Sequence, residues 1–278
     1  MQIAGHDIAV CSWSLQTKST SELISTVKSL GLSHLQLAAA PLLDLDVAAQ
    51  AQAITDLKQS GLTLTATMIH FPGEDYATIE HIHRTGGYLP NETYAARKEI
   101  TTRASHLTQT LGVKYLSTHI GFVPGKTSED YMLMVNKIRE ICAILAGDNV
   151  TLLLETGQER AHELLDFLTC LQVENIGVNF DPANMILYGA GDPITAIETL
   201  AKFIHHVHIK DGTASDSPGK TWGAEVAFGT GQVGPDRFLT ALKKIGYTGP
   251  LVIEREAGNQ RIADVKAAID AIRNAKIS

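Results

Sequence analysis

Thr151-Leu-Leu-Leu-Glu155 and, after a stretch of helical pattern, Gly177-Val-Asn-Phe-Asp181 form the segment that decides the fold. A short apolar run, a helix near 160–171 and a second apolar run make a strand–helix–strand unit. Each run closes on a carboxylate. Two later runs close on an imidazole and on a further carboxylate, Ile204-His-His-Val-His208 and Leu251-Val-Ile-Glu254. Carboxylates are rarely buried unless they are paired or bind a metal, so these ends are not ordinary packing. As neighbouring parallel strands, the runs would bring Glu155, Asp181, His208 and Glu254 to one mouth. Three oxygen ligands and one imidazole suit a hard or borderline divalent cation.

The alternation extends over the whole chain. Strands are expected near 8–12, 34–38, 62–69, 114–118, 150–155, 176–180, 204–209 and 250–254. Helices are expected near 20–30, 46–60, 91–111, 128–146, 160–171, 193–201, 235–245 and 260–275. Ser19, Thr20 or Ser21 can cap the first helix. Gly31, Gly61, Gly112, Gly147 and Gly246 follow helical stretches, and Pro193 and Pro235 suit first-turn positions. The strands are apolar on both faces, as covered parallel strands are. Eight units in 278 residues predict one (β/α)8 barrel domain over 1–278. An open doubly wound sheet would carry a glycine-rich loop after its first strand, where this chain has Cys11-Ser12-Trp13-Ser14.

Composition narrows the function classes. The net charge is -7, from 23 basic and 30 acidic residues, which disfavours a nucleic-acid partner. The three cysteines, Cys11, Cys142 and Cys170, are far apart and form neither a disulfide framework nor a thiolate zinc motif. The start has no signal-peptide pattern, and no apolar run approaches the roughly 20 residues needed to span a bilayer. The expected setting is the cytoplasm, with no membrane partner.

The residues closing the eight strands are Trp13, Gln36, His70, His119, Glu155, Asp181, His208 and Glu254. Each has a plainer alternative. Glu155 could cap a helix, Asp181-Pro182 could start a turn, and Glu256 could replace Glu254. His206 shares a strand face with His208 and suits a core histidine. His119 suits a substrate contact, with a second metal ligand or a core histidine as alternatives, and His70 is similar. Lys210 either pairs with Asp211 or reaches substrate oxygens. Trp13 either packs or stacks on a sugar. His81 and His83 read as solvated loop residues. Long insertions at 70–90 and 211–234, without clear helices, read as lids or binding loops on the strand→helix side. Arg255 and Lys220 are the candidate donors if a phosphate binds there.

Val10-Cys-Ser-Trp-Ser-Leu15, LSTHIGFVPG (116–125), LLLETG (152–157), VNFDPANMILYGAGDP (178–193), HHVHIKDG (205–212) and GYTGPLVIEREAG (246–258) carry a resemblance across nearly the whole barrel. The chain resembles the xylose-isomerase-like TIM barrels, which include sugar-phosphate isomerases and epimerases, ketose 3-epimerases, inosose dehydratase and endonuclease IV. The resemblance implies one divalent metal held by Glu155, Asp181, His208 and Glu254, with Glu155 and Glu254 also the catalytic proton-transfer pair. Mn²⁺ is the first expectation, and Mg²⁺, Co²⁺ or Zn²⁺ also suit the ligands. Trp13, His70, His119, Asn184 and Lys210 are the expected substrate contacts. The ketose 3-epimerases place a histidine three residues after the metal aspartate, where this chain has Asn184. The implied function is metal-dependent sugar isomerisation or epimerisation through a cis-enediolate. An inosose-type dehydratase is the alternative, and an endonuclease IV-like nuclease is disfavoured by Asn184 and the acidic charge. The implied partner is an unphosphorylated sugar or cyclitol, and barrels of this kind often pair as homodimers.

Overall fold

A computed structural model describes residues 1–278. Eight parallel strands close on themselves: β1 (His6–Cys11), β2 (His34–Ala38), β3 (Thr63–Met68), β4 (Tyr115–Thr118), β5 (Thr151–Glu155), β6 (Ile176–Phe180), β7 (Ile204–Ile209) and β8 (Leu251–Ile253). Closure comes from β8 pairing with both β7 and β1, and from β1 pairing with β2. The result is the single (β/α)8 barrel that the alternation predicts. Eight main helices, from Thr20–Ser29 to Arg261–Asn274, follow the strands.

The local physics is that of covered parallel strands. All five residues of β6 are buried, and β5 is buried from Leu152 onward. One apolar cluster of 63 residues fills the layer between strands and helices, where truncating a leucine typically costs about 2–5 kcal/mol. Inside the barrel much of the filling is polar: Gln36, Ser117, Asn179, His206 and His208 are all fully buried and bonded to one another or to neighbouring strands. Two register shifts interrupt the ladders, between Leu35 and Gln36 and between Val178 and Asn179. Such shifts re-aim side chains, and each lies beside a buried amide that later contacts the site.

Several short elements depart from the sequence reading. The 70–90 insertion contains a helix, Ile79–Thr85, capped by Thr78. The 211–234 insertion contains a hairpin, Asp211–Thr213 against Ala224–Val226. Pro182–Tyr188 is a helix rather than a simple turn. Trp13 lies beyond the first strand, in the 3₁₀ turn Ser12–Leu15. Gly147 is the last residue of a helix, and Asn149, with φ 56, makes the left-handed turn instead. No helix is long and apolar enough to cross a membrane.

Candidate metal centre

The ends of β5 to β8 meet as expected. Ligand atoms of Glu155, Asp181, His208 and Glu254 all lie within 4.8 Å of one another. His208 Nδ1 stands at their centre, 3.2 Å from Glu254 Oε2, 3.3 Å from Asp181 Oδ2 and 3.6 Å from Glu155 Oε1. None of the four residues is more than 5% exposed. Asp181 performs two tasks. Its Oδ1 caps the Pro182–Tyr188 helix by accepting from Asn184 N at 2.8 Å, and its Oδ2 faces His208. The turn-starter reading of Asp181-Pro182 thus becomes a helix cap, which leaves the second carboxylate oxygen facing the cluster.

Each glutamate is held from behind. Glu155 accepts from Asn184 Nδ2 at 2.9 Å and Asn179 Nδ2 at 3.1 Å, and His119 Nε2 lies 3.4 Å away. Glu254 accepts from Trp13 Nε1 at 2.7 Å, and Lys210 Nζ lies 2.8 Å from its other oxygen. That oxygen, Oε2, is buried and accepts no hydrogen bond of proper angle, so its contact with Lys210 is ionic rather than directional. Glu256 stays outside: half-exposed, it pairs with Lys210 at 2.6 Å. Glu254, not Glu256, is in the cluster.

The charges do not balance internally. Three buried carboxylates face one imidazole, and the nearest fixed cation, Lys210, is shared with Glu256. Burial pushes the Glu155 carboxyl up to about 7, although His119 and His208 draw it down. Burial pushes Asp181 and Glu254 the same way, but Lys210 and His208 overcome it and hold both below the ordinary carboxylate range. Burial disfavours charge on His208, yet Glu254, Cys11 and Glu155 raise its proton affinity well above that of an ordinary imidazole. A site that attracts a proton so strongly between carboxylates also suits a cation. The donor set and the unsatisfied Glu254 oxygen fit a divalent ion.

Glu155 and Glu254 line a cavity of about 670 Å³ that Trp13, His70, His119, Asn184 and Lys210 also line, with Asp181 and His208 buried out of it. His70 is exposed and makes no hydrogen bond or ion pair with the four cluster residues. Trp13 lines the cavity, and its indole N–H donates to Glu254 at 2.7 Å, a contact outside both of its sequence readings. Lys210 pairs with Glu254 and Glu256 rather than with Asp211. Asp211 instead accepts four backbone N–H groups, from Gly212, Gly229, Gly231 and Val233. A Cβ on Gly231 would stand 2.3 Å from Asp211 Oδ1, so only glycine fits that loop. Arg255 is not available to a phosphate, since it pairs with Glu225 at 2.7 Å and Asp264 at 2.8 Å. Lys220 is exposed and does not line the cavity.

Sequence reasoning missed part of the wall. Tyr76, Tyr188 and Trp222 line the cavity. Trp222 donates to the Tyr76 carbonyl at 3.1 Å and meets the Tyr188 ring edge-on at 4.6 Å. The two long insertions thus touch over the mouth. Asn179 and Cys11 were also missed behind the cluster. His206, fully buried and bonded to Asn179 and Thr65, is the core histidine expected.

Residues 24–275 match the family described as Xylose isomerase-like TIM barrel. A xylose isomerase domain protein from Planctomyces limnophilus superposes with a TM-score of 0.85 at 33% identity, covering 96% of this chain and 94% of that one. D-psicose 3-epimerase from Clostridium cellulolyticum H10, solved with D-tagatose, superposes with a TM-score of 0.72 at 17% identity, covering 98% and 100%. At that identity the likeness is one of fold. The uncharacterized protein YihM of Escherichia coli K12 is 27% identical over 147 residues, 51% of this chain and 44% of YihM. The alignment thus spans less than half the length of that curated relative.

Proposed function

The chain belongs to the xylose isomerase-like TIM barrel family, and on that premise we propose that it is a divalent-metal-dependent sugar isomerase or epimerase. The observation that carries the reading is the convergence of Glu155, Asp181, His208 and Glu254 on one point beside a sugar-sized cavity that Glu155 and Glu254 line. These four residues would hold the ion. When bound, a divalent cation supplies Lewis-acid polarisation of a carbonyl and its neighbouring oxygen. Mn²⁺ is the ion we put first, and the three free cysteines accord with a cytoplasmic setting.

The protein's own groups move the proton. One of Glu155 and Glu254 removes it from the carbon beside the carbonyl, which leaves a cis-enediolate. The other glutamate returns it. Return to the opposite face of the same carbon gives an epimer; return to the adjacent carbon, with the hydroxyl proton passing from one enediolate oxygen to the other, gives an aldose–ketose isomer. Asn179 and Asn184 orient Glu155, while Trp13 and Lys210 orient Glu254. His119 and Asn184 stand where sugar hydroxyls would reach, and Trp13, Tyr76 and Tyr188 offer apolar faces to the C–H groups of a sugar. The one ammonium lining the cavity, Lys210, already serves two glutamates, and four acidic residues line the same space. That balance suits a neutral polyhydroxy carbonyl compound rather than a sugar phosphate. D-psicose 3-epimerase, with the same fold, acts on substrates of that class, as its name states.

The test is incubation of the Mn²⁺-loaded protein with a panel of ketoses and keto-cyclitols in D₂O. Deuterium at the carbon next to the carbonyl is expected for at least one substrate. A protein that binds the metal yet exchanges no substrate proton would overturn the proposal.

A further inference from the structure

Gln36 lies behind the cluster, fully buried inside the barrel and beside the register shift of β2. Its Oε1 is 2.7 Å from His208 Nε2. We propose that Gln36 is a positioning residue that keeps the His208 proton on Nε2, so that Nδ1 presents a bare lone pair to the cation. The proposal rests on the reading of the cluster as a cation site.

A carbonyl oxygen only accepts, so a contact this short requires Nε2 to carry the hydrogen. The amide is turned that way by its other contacts. Its Nε2 donates to Ser117 Oγ at 2.9 Å, and the Cys11 thiol donates to the same Oε1 at 3.4 Å. Asn179 cannot substitute. Its amide nitrogen, 3.1 Å from His208 Nε2, donates to Glu155, and its oxygen accepts from His206 Nδ1 at 2.8 Å. With the proton held on Nε2, a neutral ring leaves Nδ1 bare among three carboxylate oxygens at 3.2, 3.3 and 3.6 Å. A bare nitrogen facing three anionic oxygens is a poor arrangement until a cation sits between them. A metal-ligating histidine is ordinarily oriented through its second nitrogen, and loss of that partner costs about 10–100-fold in metal affinity.

The test compares Gln36→Met, which keeps length and loses the acceptor, with Gln36→Glu, which keeps it. Mn²⁺ binding to the metal-stripped protein is followed by calorimetry. The His208 ring nitrogens are read by ¹⁵N–¹H correlation in the Zn²⁺-loaded protein, and folding by circular dichroism. Gln36→Met is expected to weaken Mn²⁺ binding by about 10–100-fold. Gln36→Glu should stay near the parent, and the loaded parent should show hydrogen on Nε2. If Gln36→Met does not fold, Ser117→Ala, which frees the far end of the amide, is expected to weaken binding in the same direction. A folded Gln36→Met variant with parental affinity overturns the assignment. So does unaltered binding by Ser117→Ala where Gln36→Met fails to fold, or a proton on Nδ1 in the loaded parent. A parent that binds no Mn²⁺ overturns the cation-site reading itself.

Discussion

The two halves of the barrel mouth differ in kind. Strands β5 to β8 end in Glu155, Asp181, His208 and Glu254, all ionisable and all buried. Strands β1 to β4 lead instead to Trp13, Gln36, His70 and His119. Of these, Trp13 and Gln36 are neutral dipoles that grip the charged residues from across the barrel. One half concentrates charge, and the other turns and fixes it. Glu254 and His208 each have a directed partner on the opposite side, while Glu155 and Asp181 are hydrogen-bonded by Asn179 and Asn184 of their own half.

The contrast predicts a graded set of effects. The largest belong to the charged half. Glu155→Gln and Glu254→Gln should each lower proton exchange at the substrate carbon by about 10³-fold, measured as the rate of deuterium incorporation. Loss of neither rate would show that the acids only shape the cavity. Next comes Asp181→Asn, which separates two roles of one residue. Asparagine caps helices about as well as aspartate, so the melting temperature should change little. Mn²⁺ affinity should fall by about 100-fold or more, beyond the loss of a mere supporting contact. Equal affinity in a calorimetric titration would move the site away from Asp181.

A third prediction concerns stability within the charged half. Glu159 follows β5, is buried, and accepts from Val123 N at 2.9 Å. Burial raises its carboxyl from 4.5 to about 7. Between those values the folded protein holds a proton that the unfolded chain has released. Stability from this group is therefore present at low pH and is lost as pH rises through about 7. Glu159→Gln removes that dependence. Urea unfolding should show the variant gaining on the parent by about 2 kcal/mol between pH 5 and pH 8. A pH-independent difference would refute the buried proton.

The smallest effect lies where the halves touch. Trp222, after β7, donates to the carbonyl of Tyr76, after β3. Trp222→Ala should raise KM by about 3–10-fold with kcat little changed, the pattern of lost uniform binding. A fall in kcat alone would place Trp222 in the chemistry.

The same division explains what the sequence made legible. The barrel strands could be read because each is an apolar run with a marked end, and the charged quartet because it forms four of those ends. The helices at 79–85 and 182–188 were harder, since Thr78 and Asp181 are caps that also read as turn formers. The hairpin at 211–226 gave no alternating pattern over strands of three residues. Asn179 was illegible for another reason. It lies inside an apolar strand, two residues before Asp181 and on the same face, and its amide meets Glu155 and His208 from the neighbouring strands. Gln36 was visible as a strand end, but its hold on His208 spans 172 positions of sequence. Glu159 gave no signal, because its burial depends on the 120–125 loop folding over it.

The most direct test of the central claim is a Mn²⁺ soak of crystals with anomalous diffraction recorded for the metal. The account predicts one peak per chain, within bonding distance of Glu155, Asp181, His208 Nδ1 and Glu254, and none at Glu256. A peak held elsewhere, or no peak between those four side chains, would contradict it.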